Sequence, residues 1–163
     1  MCHDAPMSEA VQVEEAMLRT EPGVAYAVAR LHQRLFAGIT ERVAPYGLTT
    51  LQFTTLSVLS RHGAPLSTSQ LARRAFMTPQ SMSEVIHALE RKGLIKRNPH
   101  PNHRRTLPAT LTAKGRRVLA ACEEEVSEFE DSMLAGFSEQ DRAAFVEMVK
   151  AAVRNLGGGF PSD

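Results

Sequence analysis

"STSQLARRAFMTPQSMSEVIHALERKG", residues 67–93, reads as two short helices joined by a tight turn. Ser67 and Gln70 have capping-box spacing, a hydroxyl at the cap and an amide three residues on. The helix they open turns Leu71 and Ala72 inward and ends near Ala75. Thr78-Pro79 then restarts a helix. Thr78 can accept a backbone N–H, and Pro79 suits the first helical position, where a missing donor costs nothing. Met82, Val85, Ile86 and Leu89 form its buried stripe. Lys92 sits at the negative end of the helix dipole, and Gly93 terminates the helix. Two short helices separated by about three residues form a helix-turn-helix signature.

The flanks extend this core. Leu94 to Arg97 reads as a short strand, and Pro99, Pro101 and Asn102 force a turn. Leu107 to Leu111 returns as a second strand, which Pro108 would confine to a sheet edge. The pair makes a small two-stranded wing. Upstream, "LTTLQFTTLSVLSRHG" (48–63) is helical, with Leu51, Phe53, Leu56 and Leu59 on its apolar side and Gly63 closing it.

Longer helices flank both sides. Val24, Val28, Leu31, Leu35, Ile39 and Val43 recur at helical spacing, and Pro45 and Gly47 end that run. Thr112 caps a helix carrying Val118, Cys122, Val126, Phe129 and Met133. Ser138 opens a last helix with Phe145, Met148, Val149, Ala152, Val153 and Leu156 inward, stopped by Gly157 to Gly159. Residues 11–18 have the spacing of a further short helix.

The expected organisation is an acidic extension (1–20), an N-terminal dimerisation helix (21–47) and a winged helix-turn-helix core (48–112). C-terminal dimerisation helices (113–157) and a tail (158–163) follow. The fold class is mainly α. Three outer helices carry apolar stripes that a small winged core cannot cover, so a two-fold homodimer is expected.

Charge points to the partner. The 163 residues carry a net charge of +1. Between Arg61 and Arg117, twelve Lys/Arg face two carboxylates, Glu84 and Glu90, a net of +10 against −9 for the remainder. A basic middle between acidic ends is the footprint of a polyanion binder. There is no apolar run of membrane-spanning length and no basic-then-apolar leader at the acidic N-terminus. Cys2 and Cys122 have neither metal spacing nor a disulfide framework, which fits a reducing cytoplasm.

Three blocks carry a family resemblance: "GLTTLQFTTLSVL" (47–59), "STSQLARRAFMTPQSMSEVIHALERKGLIKR" (67–97) and "NHRRTLPATLTAKG" (102–115). In this order and spacing the chain resembles the MarR family of winged helix-turn-helix regulators from about residue 24 to 156. The resemblance implies a triangular dimer built by the first and the last two helices. The fourth helix of each subunit would enter a major groove, and the wing would reach the adjacent minor groove or backbone. In many members it also implies repression released by a small aromatic or phenolic ligand in a cleft between dimer helices and reading head.

On the predicted recognition helix, Thr78, Pro79, Gln80, Ser81, Ser83, Glu84 and His87 are the candidate DNA contacts. Glutamine pairs bidentately with adenine, and Ser and Thr tolerate several bases. Thr78 and Ser81 could equally hold phosphates, and His87 could be plain surface. On the wing, Arg104 and Arg105, with His103, sit on a proline-stiffened tip suited to a narrow minor groove. Arg73, Arg74, Lys96 and Arg97 are backbone candidates or solvated flank.

Two departures stand out. His103-x-Arg105 replaces the family's usual Asp-x-Arg, and His100 replaces an earlier acid, so no carboxylate braces Arg105. Glu84 stands where Arg is frequent; it can accept from cytosine N4 or orient a neighbouring Arg.

For the implied ligand cleft, His32, Phe36 and Phe53 lie on the right helices, each as readily core or surface. His100 and His103 read as solvated wing histidines that could make DNA binding pH-sensitive, rather than as a metal site. No phosphate loop, nucleophile elbow or catalytic carboxylate pair is present, so no enzyme and no cofactor is expected. The rival reading is a winged-helix module that binds protein; the basic middle argues for double-stranded DNA with a pseudo-palindromic operator.

Overall fold

The computed structural model describes residues 23–97 and 107–159. The wing tip with His100, His103, Arg104 and Arg105 lies outside the described residues, as do the expected short helix at 11–18 and the last four residues. Two compact units divide the chain at Ala37–Gly38.

The helices are α1 (Val24–Val43), α2 (Thr50–His62), α3 (Thr68–Arg74), α4 (Pro79–Arg91), α5 (Ala113–Met133) and α6 (Glu139–Asn155). A single 3-10 turn, Ala44–Tyr46, follows α1, and strands β1 (Ile95–Arg97) and β2 (Ala109–Leu111) stand between α4 and α5. The starts of α2 to α6 are set by side-chain caps. Thr49, Ser67, Thr78, Thr112 and Ser138 each accept the N–H three residues on, and the first two complete reciprocal boxes with Gln52 and Gln70. Gly93 ends α4 at φ 67°, a conformation in which any Cβ would be strained.

One core fills the second unit. Leu56, Leu66, Leu71, Met82, Ile86, Leu89, Ile95 and Leu119 are almost wholly buried within it. The expected stripe of α4 is correct, although Val85 is only half-buried. On α2 the expectation needs correcting. Leu51 is 42% exposed, whereas Gln52 and Thr55 are buried. Polar atoms of both have partners. The Thr55 hydroxyl donates to the Leu51 carbonyl at 2.8 Å, and Gln52 accepts from Lys92 Nζ at 2.7 Å. A polar residue can therefore take the inward position, and the apolar one is displaced.

The wing strands pair antiparallel, with Ile95 opposite Leu111 and Arg97 opposite Ala109. Pro108 precedes β2 rather than interrupting it. Nor is β2 an edge at Ala109. Leu66 bridges to Ala109 on its other side through bonds of 2.8 and 3.2 Å, a third short segment that periodicity did not suggest. The proline's missing donor falls outside the ladder, so it imposes no edge.

α6 was expected to turn Phe145, Met148, Val149, Ala152, Val153 and Leu156 inward. None is buried by this chain; Met148 is 64% and Leu156 89% exposed. In the first unit Val24, Tyr26 and Val28 are also exposed. At the start of the second unit, the Phe129 ring occupies the space a Gly38 side chain would take, and the Arg42 guanidinium stands 4.1 Å from that ring's centroid.

Candidate nucleic-acid interface

α4 is anchored at both ends. At its start, Thr78 Oγ1 accepts from Ser81 N at 3.2 Å and donates to Ser81 Oγ at 2.9 Å, with Pro79 at the first helical position. The Thr78 hydroxyl is thus a cap with both functions used. At its end, Lys92 reaches across to the Gly47 carbonyl and Gln52. Lys114 Nζ donates to the Lys92 carbonyl at 2.9 Å. Thr112 Oγ1 donates to the Gly93 carbonyl at 2.7 Å while capping α5. The helix is fixed in azimuth because Met82, Ile86 and Leu89 are buried on one side.

The opposite side is open. Thr78, Pro79, Gln80, Ser81, Glu84 and His87 are exposed, and Ser83 is half-buried. At 100° per residue, Gln80, Glu84, His87 and Arg91 form one row. Arg91 was not singled out in the sequence, although its spacing from Glu84 and His87 places it there. That row is polar, solvent-facing and free of backbone obligations, so its donors and acceptors can meet base edges.

The basic residues divide into two groups. Arg97 Nε donates to the Leu107 carbonyl at 3.4 Å, and Arg116 and Lys114 also bond backbone carbonyls. These brace the wing and its junction with α5. Arg73, Arg91 and Lys96 are exposed. The ion pairs among the described residues are Arg142–Asp131 and Lys150–Glu147, both outside the basic middle. Among the described residues, then, no cation near α4 is held in an ion pair, which leaves these charges open to an anion.

Arg74 goes elsewhere. It is half-buried on the wall of a cavity of about 870 Å³ in the second unit, and its Nε is buried without a hydrogen-bond partner. The Ser57 hydroxyl on the same wall is also buried and unpartnered. Ile39, Phe53, Val58 and Val126 supply apolar lining. Of the three residues expected at a ligand cleft, Phe53 lines this cavity. His32 and Phe36 belong to the other unit, where their ring centroids are 6.2 Å apart. Ser57 was missed, and Arg74 was expected at the DNA backbone or on solvated flank, because nothing in helical periodicity marks a hydroxyl or guanidinium left unsatisfied by its neighbours.

Cys122 is wholly buried, and burial first, then Glu123 and Glu125, pushes its thiol up to about 11. A thiol so hard to ionise is a poor nucleophile. Among the described residues, no three His, Cys, Asp or Glu side chains are placed to hold a metal, and no helix is long and apolar enough to cross a membrane.

A capped, solvent-facing second helix, braced from behind by a two-stranded wing, defines the winged helix-turn-helix class. Comparison with known proteins narrows this. Residues 46–106 match the MarR family profile. The HTH-type transcriptional repressor Rv2887 of Mycobacterium tuberculosis is 32% identical over 82% of this chain and 95% of its own length. A structure of that protein with DNA superposes with a TM-score of 0.68 at 31% identity, covering 81% of this chain and 98% of that one. Its complex with salicylic acid gives 0.65 at 32% identity, covering 82% and 98%. The transcriptional repressor CouR, bound to a 23-mer DNA duplex, gives 0.73 at 26% identity, covering 93% and 99%. The chain belongs to the MarR family of transcriptional regulators.

Proposed function

We propose that the chain is a homodimeric, ligand-responsive repressor of the cytoplasm that reads a pseudo-palindromic duplex through α4. The observation that carries this is the exposed row Gln80–Glu84–His87–Arg91, held rigid by the Thr78 cap and the Lys92 brace. In this reading Gln80, Ser83, Glu84 and His87 face base edges. Thr78, Pro79 and Ser81 form the helix tip near phosphates, and Arg73 and Lys96 hold the backbone. Arg104, Arg105 and His103 enter the minor groove from the wing tip. Uncovered apolar residues on α1 and α6 support pairing of two copies. Half-sites about one helical turn apart follow from two-fold symmetry.

The cavity supports the second part. Its size suits a small ligand, and its walls combine the apolar Ile39, Phe53, Val58 and Val126 with charged groups, among them Arg61, Glu123, Glu130 and Lys150. Its unpartnered Ser57 hydroxyl and Arg74 Nε offer donors to a carboxylate or phenol. The DNA and salicylic acid complexes of Rv2887 support both halves of the proposal. No catalytic step is proposed.

The test is fluorescence anisotropy of a duplex pool at several salt concentrations, with light scattering on the same sample. A dimer whose affinity falls steeply with log[salt] is expected. A monomer with a flat salt dependence would overturn the reading.

A further inference from the structure

Phe76 departs from the other large apolar side chains of the helix-turn-helix. It is 79% exposed, while its neighbours Ala75 and Met77 pack against the core. Its φ is 54°, the one positive value outside glycine among the described residues. The turn is pinned by Met77 N to the Ala72 carbonyl at 2.8 Å and Phe76 N to the Arg73 carbonyl at 3.4 Å. The backbone therefore aims the ring away from the core. Glycine would adopt this φ without strain. A benzyl group there carries both strain and exposed apolar surface, with no return inside the chain.

We propose that Phe76 is a base-reading residue whose ring packs on the 5-methyl group of a thymine beside the recognition helix. This rests on the reading of α4 as the helix that enters the duplex. Phe76 stands two residues ahead of the Thr78 cap, on the segment that leads into the exposed tip at Pro79 and Gln80. Exposed Arg73 lies on its other side, so a phosphate held there and a base met by Gln80 would bracket the ring and remove it from water. The thymine methyl is the apolar feature of the major-groove edge, and phenylalanine is among the side chains that read it. A protein partner would need a contiguous apolar patch, whereas the exposed residues nearest Phe76 in the sequence include the polar Arg73, Thr78 and Gln80.

The experiment begins with duplexes selected from a random pool by the unsubstituted protein. Each thymine of the selected site is then replaced by deoxyuridine, which lacks only the methyl. Binding is measured for the unsubstituted protein, Phe76→Ala and Phe76→Gly, with thermal unfolding and size-exclusion on each. At one thymine per half-site, methyl removal is expected to weaken the unsubstituted protein about fourfold, one buried methyl's worth, and to leave Phe76→Ala unchanged. Phe76→Gly should unfold at a higher temperature yet bind the thymine duplex more weakly, which separates reading from folding. Three outcomes overturn the inference: Phe76→Ala binding as tightly as the parent, deoxyuridine sensitivity persisting in both variants, or a changed oligomeric state on substitution. If the unsubstituted protein selects no duplex at all, the reading of α4 fails first and this inference with it.

Discussion

Lys92 Nζ donates to Gln52 Oε1 at 2.7 Å, joining the C-cap of α4 to the first turn of α2. The same glutamine oxygen accepts from Thr49 N at 3.3 Å, so the lysine closes onto a capping box. Because Gln52 is buried, losing its charged donor leaves part of an acceptor dry. Lys92 is exposed, which tempers the cost. Lys92→Met is expected to cost about 1 kcal/mol, read as a lower urea midpoint. DNA affinity should fall beyond that of a mutant of equal stability, because the helix loses a support. Equal affinity in the two would show that Lys92 does not position α4.

Gly38 faces the Phe129 ring so closely that an added Cβ would collide with it. Gly38→Ala should destabilise by about 1–3 kcal/mol, the usual range for overpacking. Adding Phe129→Leu to Gly38→Ala should recover part of that loss by making room. Chemical denaturation of the two single and one double variants measures the coupling. Additive losses would contradict the contact.

Ser57 and Arg74 make opposite demands in the free and liganded protein. Removing an unpartnered buried hydroxyl should leave the free protein as stable or more so, while a ligand would lose a donor. Ser57→Ala is therefore expected to keep or raise the melting temperature and to weaken salicylate about fivefold. Arg74→Met should weaken it more, since a guanidinium–carboxylate bond is charge-assisted. Calorimetric titration with salicylate decides this; unchanged affinity in both variants would remove the cavity as the effector site.

The Thr78 cap predicts a loss of about 1 kcal/mol for Thr78→Ala and near-full retention for Thr78→Ser, the usual worth of an N-cap oxygen. Its hydroxyl is already engaged with Ser81, so Thr78→Ser should also bind DNA as the parent does. A large affinity loss in the serine variant, at unchanged stability, would instead assign the threonine methyl a role in binding.

Cys122 gives the alkaline limit. Its thiol ionises near 11 in the folded chain against an ordinary value of 9.0, so the native state holds this proton more tightly than the unfolded one. The resulting stabilisation is complete below the unfolded value and is lost as pH rises through the folded one. Melting temperature should decline between pH 9.0 and about 11, and Cys122→Ala should flatten that decline. Iodoacetamide at pH 8 should label Cys122 only when the protein is unfolded. Rapid labelling of the native thiol would contradict its burial.

Much of the reading head is written locally. Ser67 with Gln70, Thr78 with Pro79, and Gly93 state their own helix boundaries, because caps and turns involve residues three or four apart. The α4 stripe was legible for the same reason: one helical period sorts Met82, Ile86 and Leu89 from Gln80, Glu84 and His87. Gln52 and Leu51 show where this fails. Their order of burial depends on Lys92, forty residues away, supplying a partner for the amide. The pairing of Leu66 with Ala109 likewise joins distant segments across which no period runs.

The charge division, the capped helix pair and the family membership were settled by the sequence itself, since each depends on residue type and short spacing. Tertiary structure alone decided which arginine meets solvent and which meets the cavity. Arg73 and Arg74 are adjacent and chemically identical, and about 100° of helical rotation sends one outward and the other against Ser57's wall. It also decided that Phe76 points out, because a single positive φ, fixed by backbone bonds to Ala72 and Arg73, reverses the direction that apolarity alone would give it.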